Sequence, residues 1–406
     1  MRILHLSTLY PPHIVGGAER SVELLAEAQV ALGHTVGAAC LNRETVARTE
    51  RNDVSVYRMA HGNDFWMEDV EEHGRAARTV AKLKQPFNTA LAGRFGAVLD
   101  DFKPDILHSH SMVEVSSLLW TEAAKRGIPV AHTIRDYELL CTNSGMFKNG
   151  KTCASRHVKC KVLTLDKLMR HRAVGAVASV GRQILDTHLD EGYFSHVDRN
   201  YRRVIWNPAI VKGAGANYVK PRLEGPLRFG YLGRISAEKG VDTMLEALRL
   251  LPAGGWEAII AGKAPADMPR FEALAAGMPV TFAGFMDPKD FFEAIDVLIV
   301  PSLWAEPLPR TILEACAMRV PSLGARSGGI PELIGEENKD WLYDAHDPAD
   351  MAARMAPIVE RGRDGLTFDR FELVLSQTQP STVANKYLDL YQGALASRGK
   401  TLSAAA

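Results

Sequence analysis

Nowhere in these 406 residues is there an apolar run approaching the ~18 residues that a membrane span requires. Charge of one sign is not in excess either. The 48 Lys and Arg balance 48 Asp and Glu, so no global attraction to nucleic acid or anionic lipid is expected. Cysteine is scarce: five residues, an odd count without a secretory signal, which argues for a reducing compartment. Met1 to Leu9 has one basic residue and a short apolar stretch, and it reads as a first strand and not as a signal peptide. No G-x-G-x-x-G follows that strand and no acidic residue ends the next one at Leu41, which excludes the dinucleotide fingerprint of dehydrogenases. The expectation is a soluble cytoplasmic protein.

The length exceeds what one hydrophobic core usually supports, so two domains are expected. The two halves begin alike. Arg2–Leu6 leads into Gly16-Gly17 and an amphipathic helix over about Ala18–Leu32. Leu227–Leu232 leads into the Gly233–Gly240 loop and a helix over Val241–Leu251. Each is a strand, a glycine-containing turn and a helix, the opening unit of a doubly wound sheet. Further strands are expected at 35–41, 54–58, 106–110, 129–134, 176–180 and 203–205 in the first half. In the second they fall at 257–261, 280–283, 297–300 and 320–323. The fold class is therefore α/β, two Rossmann-like domains, with a boundary near Trp206-Asn207-Pro208 where Asn-Pro signals a turn. A last helix is expected over about Ser381–Ala396, with Ser403–Ala406 frayed.

The densest stretch of chemistry is Glu306-Pro-Leu-Pro-Arg-Thr-Ile-Leu-Glu314, followed by Gly328-Gly329-Ile330-Pro331-Glu332. Proline is tolerated in the first turn of a helix and not inside it, so a helix begins near Pro309. Glu306 then lies in the preceding loop and Glu314 on the second turn. Two glutamates at such spacing usually form a solvated face. Here the buried-strand run Asp296–Ser302 ends at the same loop, and open parallel sheets bind ligands beyond the carboxyl ends of their strands. Orphan N–H groups at a helix start suit phosphate, and two acidic acceptors suit hydroxyls. A nucleotide-sugar has both.

The stretch from Asp296 to Ile334 resembles the signature of the family-4 glycosyltransferases, retaining GT-B enzymes with an E-x7-E motif. Leu232-Gly-Arg234-Ile-Ser-Ala-Glu-Lys239-Gly240 resembles the family's G-R-x(4)-K-G loop. Pro11-Pro-His-Ile-Val-Gly16-Gly17-Ala-Glu19 resembles its N-terminal glycine loop, and Asp105-Ile-Leu-His108-Ser-His110 its D-x-x-H-x-H strand end. These motifs keep family order over roughly residues 1 to 345. The resemblance implies a GT-B fold of two domains facing a cleft. Residues 1–207 would be the acceptor side, 208–380 the nucleotide-sugar side, and helix 381–406 would return to the first domain. It implies a retaining hexosyltransferase of polysaccharide or glycoconjugate biosynthesis that needs no cofactor. The donor would be a UDP-sugar or a GDP-sugar, and the acceptor a hydroxyl of a glycan, a lipid-linked sugar or a small molecule.

Residue by residue, Arg234 and Lys239 would meet the donor diphosphate, where fixed cations stabilise the leaving charge. Glu306 would touch the transferred sugar and Glu314 the ribose. Amides of Leu308, Arg310 and Thr311, beside Pro309, open the helix toward sugar and phosphate. Gly284-Phe285-Met286 matches the family's base-binding turn, although Phe285 is more often core than a stacking platform. Gly16, Gly17 and Gly233 allow close backbone approach. His108 is expected inside the sheet. His110 is either an acceptor-side contact or structural, and Asp136 joins it on the acceptor side. The chain departs from the family twice. Thr133-Ile-Arg135-Asp136 carries arginine where the family has a histidine contacting the donor sugar, and an arginine cannot act as a base. Arg319 stands where the family commonly has glycine, which puts that turn's tightness in question.

Cys141, Cys153, His157 and Cys160 are four soft ligands within twenty residues. Tetrahedral zinc accepts Cys3His, but no C-x2-C knuckle is present, and an unmetallated loop with reduced thiols is expected. Basic residues at Arg75, Arg78, Lys82 and Lys84, and at Lys161, Lys167, Arg170 and Arg172, suit either a solvated face or weak association with the inner membrane surface. Two rival functions remain: a nucleotide-sugar epimerase on the same fold, and a non-catalytic nucleotide-sugar binding protein.

Overall fold

The structure is a computed structural model, and it describes residues 1–214, 218–264 and 268–403. The chain divides into two compact units. The first comprises Met1–Met146, Ser155–Pro208 and Pro380–Ala406, and the second Phe147–Ala154 and Ala209–Gln379.

The first unit is built on an eight-stranded sheet. Its strands lie in the order Arg202–Val204, Val174–Ser179, Val130–Ile134, Ile106–Ser109, Arg2–Ser7, Thr35–Asn42, Val54–Ala60 and Thr49–Arg51. All neighbours are parallel except the Thr49–Arg51 edge, which pairs antiparallel with Val54–Ala60. The helix Gly17–Ala31 starts at Gly16, whose backbone N–H donates to Glu19 Oε2 at 3.0 Å. Pro380–Ser403 extends beyond the expected helix and belongs to this unit. Its Val383, Ala384, Tyr387, Leu390, Tyr391 and Ala394 are buried against Ile3, Ile106, Ala131 and Ala176 of the sheet. Each large side chain buried there contributes about 1.5–3 kcal/mol. The fraying expected at Ser403–Ala406 falls largely on residues 404–406, outside the described residues.

The second unit carries six parallel strands in the order Val280–Gly284, Trp256–Ala261, Leu227–Leu232, Val297–Val300, Ser322–Ala325 and Leu342–Tyr343. Numbered along the chain this is 3-2-1-4-5-6, the dinucleotide-fold order whose direction reverses between the first and fourth strands. The strand expected at 320–323 lies at 322–325 instead. Val320 closes the preceding helix by donating to the Ala315 carbonyl at 2.9 Å, and Pro321 separates that cap from the strand. The two-residue strands at Phe147–Lys148, Lys151–Thr152 and Leu342–Tyr343 are too short to leave a period in the sequence.

Candidate active site

In the second unit the Gly233–Gly240 loop follows the first strand and the Pro301–Pro309 loop follows the fourth. Both therefore emerge at the point of reversal. The two loops are locked together by backbone. Leu303 and Trp304 N–H groups donate to the Glu238 carbonyl at 3.0 and 3.3 Å. Gly240 has φ +71°, and a Cβ there would overlap the Pro301 carbonyl oxygen. From the other side, Gly329 N–H donates to the Glu306 carbonyl at 2.7 Å. Gly328 has φ +60°, and a Cβ on it would overlap the Glu306 backbone. The Gly-Gly pair is thus what lets residues 328–329 pack flat beneath Glu306.

This scaffold brings Lys239 and Glu306 together across 67 residues of sequence. Lys239 Nζ lies 2.8 Å from Glu306 Oε1, and Ser302 Oγ donates to Glu306 Oε2 at 2.7 Å. The ammonium also sits 5.4 Å from the Trp304 ring centroid. Arg234 remains exposed and pairs with Glu238 at 2.8 Å, one turn away. The helix expected near Pro309 spans Arg310–Ala317 with Pro309 at its N-cap, and Arg310 pairs with Glu314 at 3.3 Å. Leu308 and Pro309 are buried, and Thr311 is half-buried. Ser236 Oγ and Trp304 Nε1 are buried with no hydrogen-bond partner. Native proteins seldom leave such groups unpaired, and both sit in the two loops that hold Lys239 and Glu306. Neither residue stood out in the sequence.

Gly284, at φ +66°, ends the third strand and accepts from Gly262 N–H at 2.7 Å. Phe285 beside it is 91 % exposed, which corrects the expectation of a core side chain. It follows an edge strand with only one neighbour, so among the described residues no further strand covers the ring. Met286 is half-buried. At the helix end, Arg319 takes φ +56°, the left-handed conformation that glycine favours, so the turn keeps its tightness without glycine.

In the first unit, Gly16 and Gly17 follow the strand Arg2–Ser7 and His110 follows Ile106–Ser109, again the two strands flanking the reversal. A Cβ on Gly16 would meet only Glu19 Oε2, at 3.9 Å. Arg135 is largely buried: its Nε and Nη2 lie 3.2 Å from His110 Nδ1, and Nη1 donates to Asn207. Because arginine only donates, this contact fixes a chain of tautomers. His110 Nδ1 accepts, so its Nε2–H donates to His5 Nδ1 at 2.9 Å, and His5 Nε2–H to Gln29 Oε1 at 2.8 Å. Gln29 Nε2 donates to the Tyr391 hydroxyl at 3.0 Å, which donates to His108 Nδ1 at 2.7 Å. His108 Nε2–H then reaches Thr133 Oγ1 at 2.7 Å, and Thr133 donates to the Tyr387 hydroxyl at 3.1 Å. His5, His108 and His110 are neutral. Burial holds His5 at about 4, and it pushes His108 and His110 well below the usual imidazole range. His110 is fully buried with both ring nitrogens engaged. Asp136 is half-buried, accepts from Ser111 Oγ at 2.6 Å, and is raised to about 6 by burial and then by Glu138.

His5, His108 and His110 are also the one group of three or more metal-ligand side chains that converge among the described residues. Their ring nitrogens are all engaged in the chain just described. Among the described residues, no three of Cys141, Cys153, His157 and Cys160 gather as His5, His108 and His110 do. Cys141 closes a turn by donating to the Tyr137 carbonyl, and Cys160 is buried on the helix Val158–Leu163.

Residues 15–185 match the family model described as Glycosyltransferase Family 4, and residues 226–361 match that of Glycosyl transferases group 1. The chain is a glycosyltransferase. It is 29 % identical over 336 residues to an uncharacterised 42.6 kDa protein in the cps region of Klebsiella pneumoniae, covering 82 % of this chain and 87 % of that one. Among solved structures, the glycosyltransferase is similar to sucrose-phosphate synthase of Thermosynechococcus elongatus. The TM-score is 0.69 at 18 % identity, over 98 % of this chain and 100 % of the other. It is also similar to HepE of Anabaena in complex with UDP. There the TM-score is 0.65 at 14 % identity, over 97 % and 100 % of the chains. At these identities the likeness establishes the fold, which is GT-B. No helix among the described residues is long and apolar enough to cross a membrane.

Proposed function

We propose that this glycosyltransferase moves a hexosyl group from a nucleotide-diphosphate sugar to an acceptor hydroxyl with retention of configuration. The observation that carries the reading is the Lys239–Glu306 pair, held between two interlocked loops where the second unit's sheet reverses. Lys239 and Arg234 receive the diphosphate. Each now lies against a carboxylate, so an arriving donor competes with Glu306 and Glu238 for the two cations. Charge that grows on the leaving phosphate then favours the cations more in the transition state than in the ground state. Glu306 accepts from hydroxyls of the transferred sugar and Glu314 from the ribose. The amides of Leu308, Arg310 and Thr311 reach sugar and phosphate. Gly284 to Met286 read the base by backbone, and the exposed Phe285 ring is available to lie on it. Gly16 and Gly17 carry no Cβ and allow close backbone approach of the donor, and Arg135 holds a sugar hydroxyl in place of histidine.

The bond between the anomeric carbon and the phosphate oxygen breaks while the acceptor oxygen bonds to the same face. The acceptor proton passes to the leaving phosphate, so no protein nucleophile is needed. The UDP-bound relative supports a UDP-sugar over a GDP-sugar. Residues 1–207 with the last helix form the acceptor side, including Asp136, and 208–380 the donor side. The basic residues of 75–84 and 161–172 favour a cytoplasmic position at the inner membrane face.

The test is incubation with a panel of uridine, guanosine and adenosine diphosphate sugars, reading nucleotide release with and without hydroxylated acceptors. Slow release of free diphosphate without acceptor is expected. Conversion to an epimeric nucleotide-sugar without acceptor, or unaltered binding, overturns the reading.

A further inference from the structure

Two neighbouring helical segments of the first unit leave their apolar sides bare. Along Arg75–Lys84 and the turn that continues it, Ala76, Val80, Leu83 and Phe87 are all exposed. Their spacing of four, three and four residues is that of one helix face. No residue of Arg75–Lys84 is buried, and Phe87 is 72 % exposed. Along Val158–Leu163 and Leu165–Arg170, the same spacing recurs in Val158, Val162, Leu165 and Met169. Val158 is 77 % and Met169 69 % exposed. The segments run side by side. Lys159 Nζ donates to Thr79 Oγ1 at 3.2 Å at one end, and Arg170 Nη1 to the Pro86 carbonyl at 3.2 Å at the other. Isolated surface hydrophobics need no explanation, but a contiguous patch built from two stripes marks a contact surface.

The charges around the patch say what kind. Residues 75–87 carry Arg75, Arg78, Lys82 and Lys84 and no acid. Residues 158–172 carry Lys159, Lys161, Lys167, Arg170 and Arg172 against Asp166 alone. Lys82, Lys84, Lys167 and Arg170 are committed to Glu114, Asp64, Glu138 and Asp166. Arg75, Lys159, Lys161 and Arg172 are exposed. A chain of zero net charge thus concentrates one sign around its apolar stripes. A cavity of about 350 Å³ lies between the two segments, with Arg75, Arg78, Lys82 and Lys159 among its lining residues. Apolar stripes rimmed by cations are the pattern of helices that lie in the bilayer interface, with the cations among anionic headgroups. A second copy of the same face would meet it with like charge.

We infer that this face docks the enzyme onto an anionic lipid bilayer, with Val80, Leu83, Phe87, Val158, Val162 and Met169 entering the headgroup region. The inference deepens the membrane-face position proposed above and does not depend on which donor is used. The experiment is co-sedimentation of the full chain with phosphatidylcholine vesicles, with and without phosphatidylglycerol, at low and high salt. Binding is expected only with the anionic lipid, weakening as salt rises. Leu83→Glu/Met169→Glu and Arg75→Glu/Lys161→Glu should each reduce partitioning by about tenfold or more. Both variants change exposed side chains, so their melting curves and donor hydrolysis in solution should match the unaltered chain. Binding to neutral and anionic vesicles alike, or partitioning indifferent to both variants, overturns the inference. So does a dimer without vesicles that Leu83→Glu/Met169→Glu abolishes, because the face then covers another copy. Failure of the transfer reading would instead appear as absent donor hydrolysis with vesicle binding intact.

Discussion

The two units carry the same kind of sheet and stabilise their polar groups in opposite ways. In the second unit the charged residues of the candidate site stand as partly buried ion pairs beyond the strand ends, Lys239–Glu306 between two loops and Arg310–Glu314 on the helix that follows. In the first, polar groups run through the interior. Of 13 histidines only His346 lies in the second unit, and it is exposed, whereas His5, His108, His110, His132, His171 and His188 are buried in the first. The difference teaches where each unit is vulnerable. Loop-held charges fail by losing a partner, and a neutral buried network fails by gaining a proton.

Acid should therefore separate the two units, and this is the largest effect expected. The buried histidines have folded pKa values depressed by burial, to about 4 for His5 and His188 and about 3 for His132. Below about 6.5 the unfolded chain takes up protons that the folded chain refuses, so stability falls as pH drops toward those values. At pH 5 the loss is about 2 kcal/mol for each such histidine. Asp136, raised to about 6, acts in the other sense: its contribution is full below the unfolded carboxylate value and is lost as pH rises through 6. One carboxyl does not offset six imidazoles. Hydrogen exchange corrected for intrinsic rates should show the strand Val174–Ser179 losing protection between pH 7 and 5 while Trp256–Ala261 keeps it. Equal loss in both would break the comparison.

The second unit's weakness is tested by Lys239→Ala. Removing a fixed cation from a developing phosphate charge costs about 10²–10³-fold in turnover. Because Lys239 sits in a loop, the variant should melt as the unaltered protein does. Glu306→Ala should lose turnover similarly. Near-native nucleotide release from a correctly folded Lys239→Ala variant would remove that loop from the diphosphate site.

Arg135 is where a first-unit network touches the proposed chemistry, and its removal should have a smaller effect. A truncated charged hydrogen bond costs about 1.5–3 kcal/mol, or roughly one to two decades in rate if made in the transition state. Arg135→Ala should lower transfer by that amount with binding of bare nucleotide diphosphate retained. A rise confined to the acceptor's Michaelis constant would assign it to an anionic acceptor instead. Unchanged kinetics for both substrates would leave it a structural role, holding His110 and Asn207.

How much of this was legible in the sequence follows the same division. Lys239, Glu306 and Glu314 stood in short local patterns, because a loop between a strand and a helix is written in consecutive residues. What binds Lys239 to Glu306 was not legible: Gly328 matters through a Cβ it lacks, and Ser302 through a rotamer. The first unit's network joins Gln29 to Tyr391, 362 residues apart, and no spacing rule reaches so far. The stripes at 76–87 and 158–169 are periodic, yet periodicity reports that one face is apolar and not what covers it. Phe285 was misread for the same reason: an aromatic after a strand is core only when a further strand lies beside it.

Arg319 gives the smallest effect and the sharpest sign. The helix Arg310–Ala317 ends in a Schellman arrangement, with Arg319 N–H donating to the Cys316 carbonyl at 3.2 Å and Val320 N–H to Ala315. Holding a non-glycine residue at φ +56° costs about 1–2 kcal/mol. Against that, Arg319 pairs with Glu372 at 2.6 Å and lies 5.9 Å from the Phe371 ring centroid. Glu372 is 80 % exposed, so the pair contributes only ~0–1 kcal/mol. Arg319→Gly relieves the strain, loses the pair, and raises the entropy of the unfolded chain by about 0.5–1 kcal/mol. The terms nearly cancel, and the melting midpoint should stay within a few degrees with turnover unchanged. Arg319→Val loses the pair and keeps a β-branched residue at positive φ, so it should cost about 1–3 kcal/mol by denaturant titration. If valine were tolerated as well as glycine, the turn would not require the left-handed conformation, and the strain assigned to Arg319 would be absent.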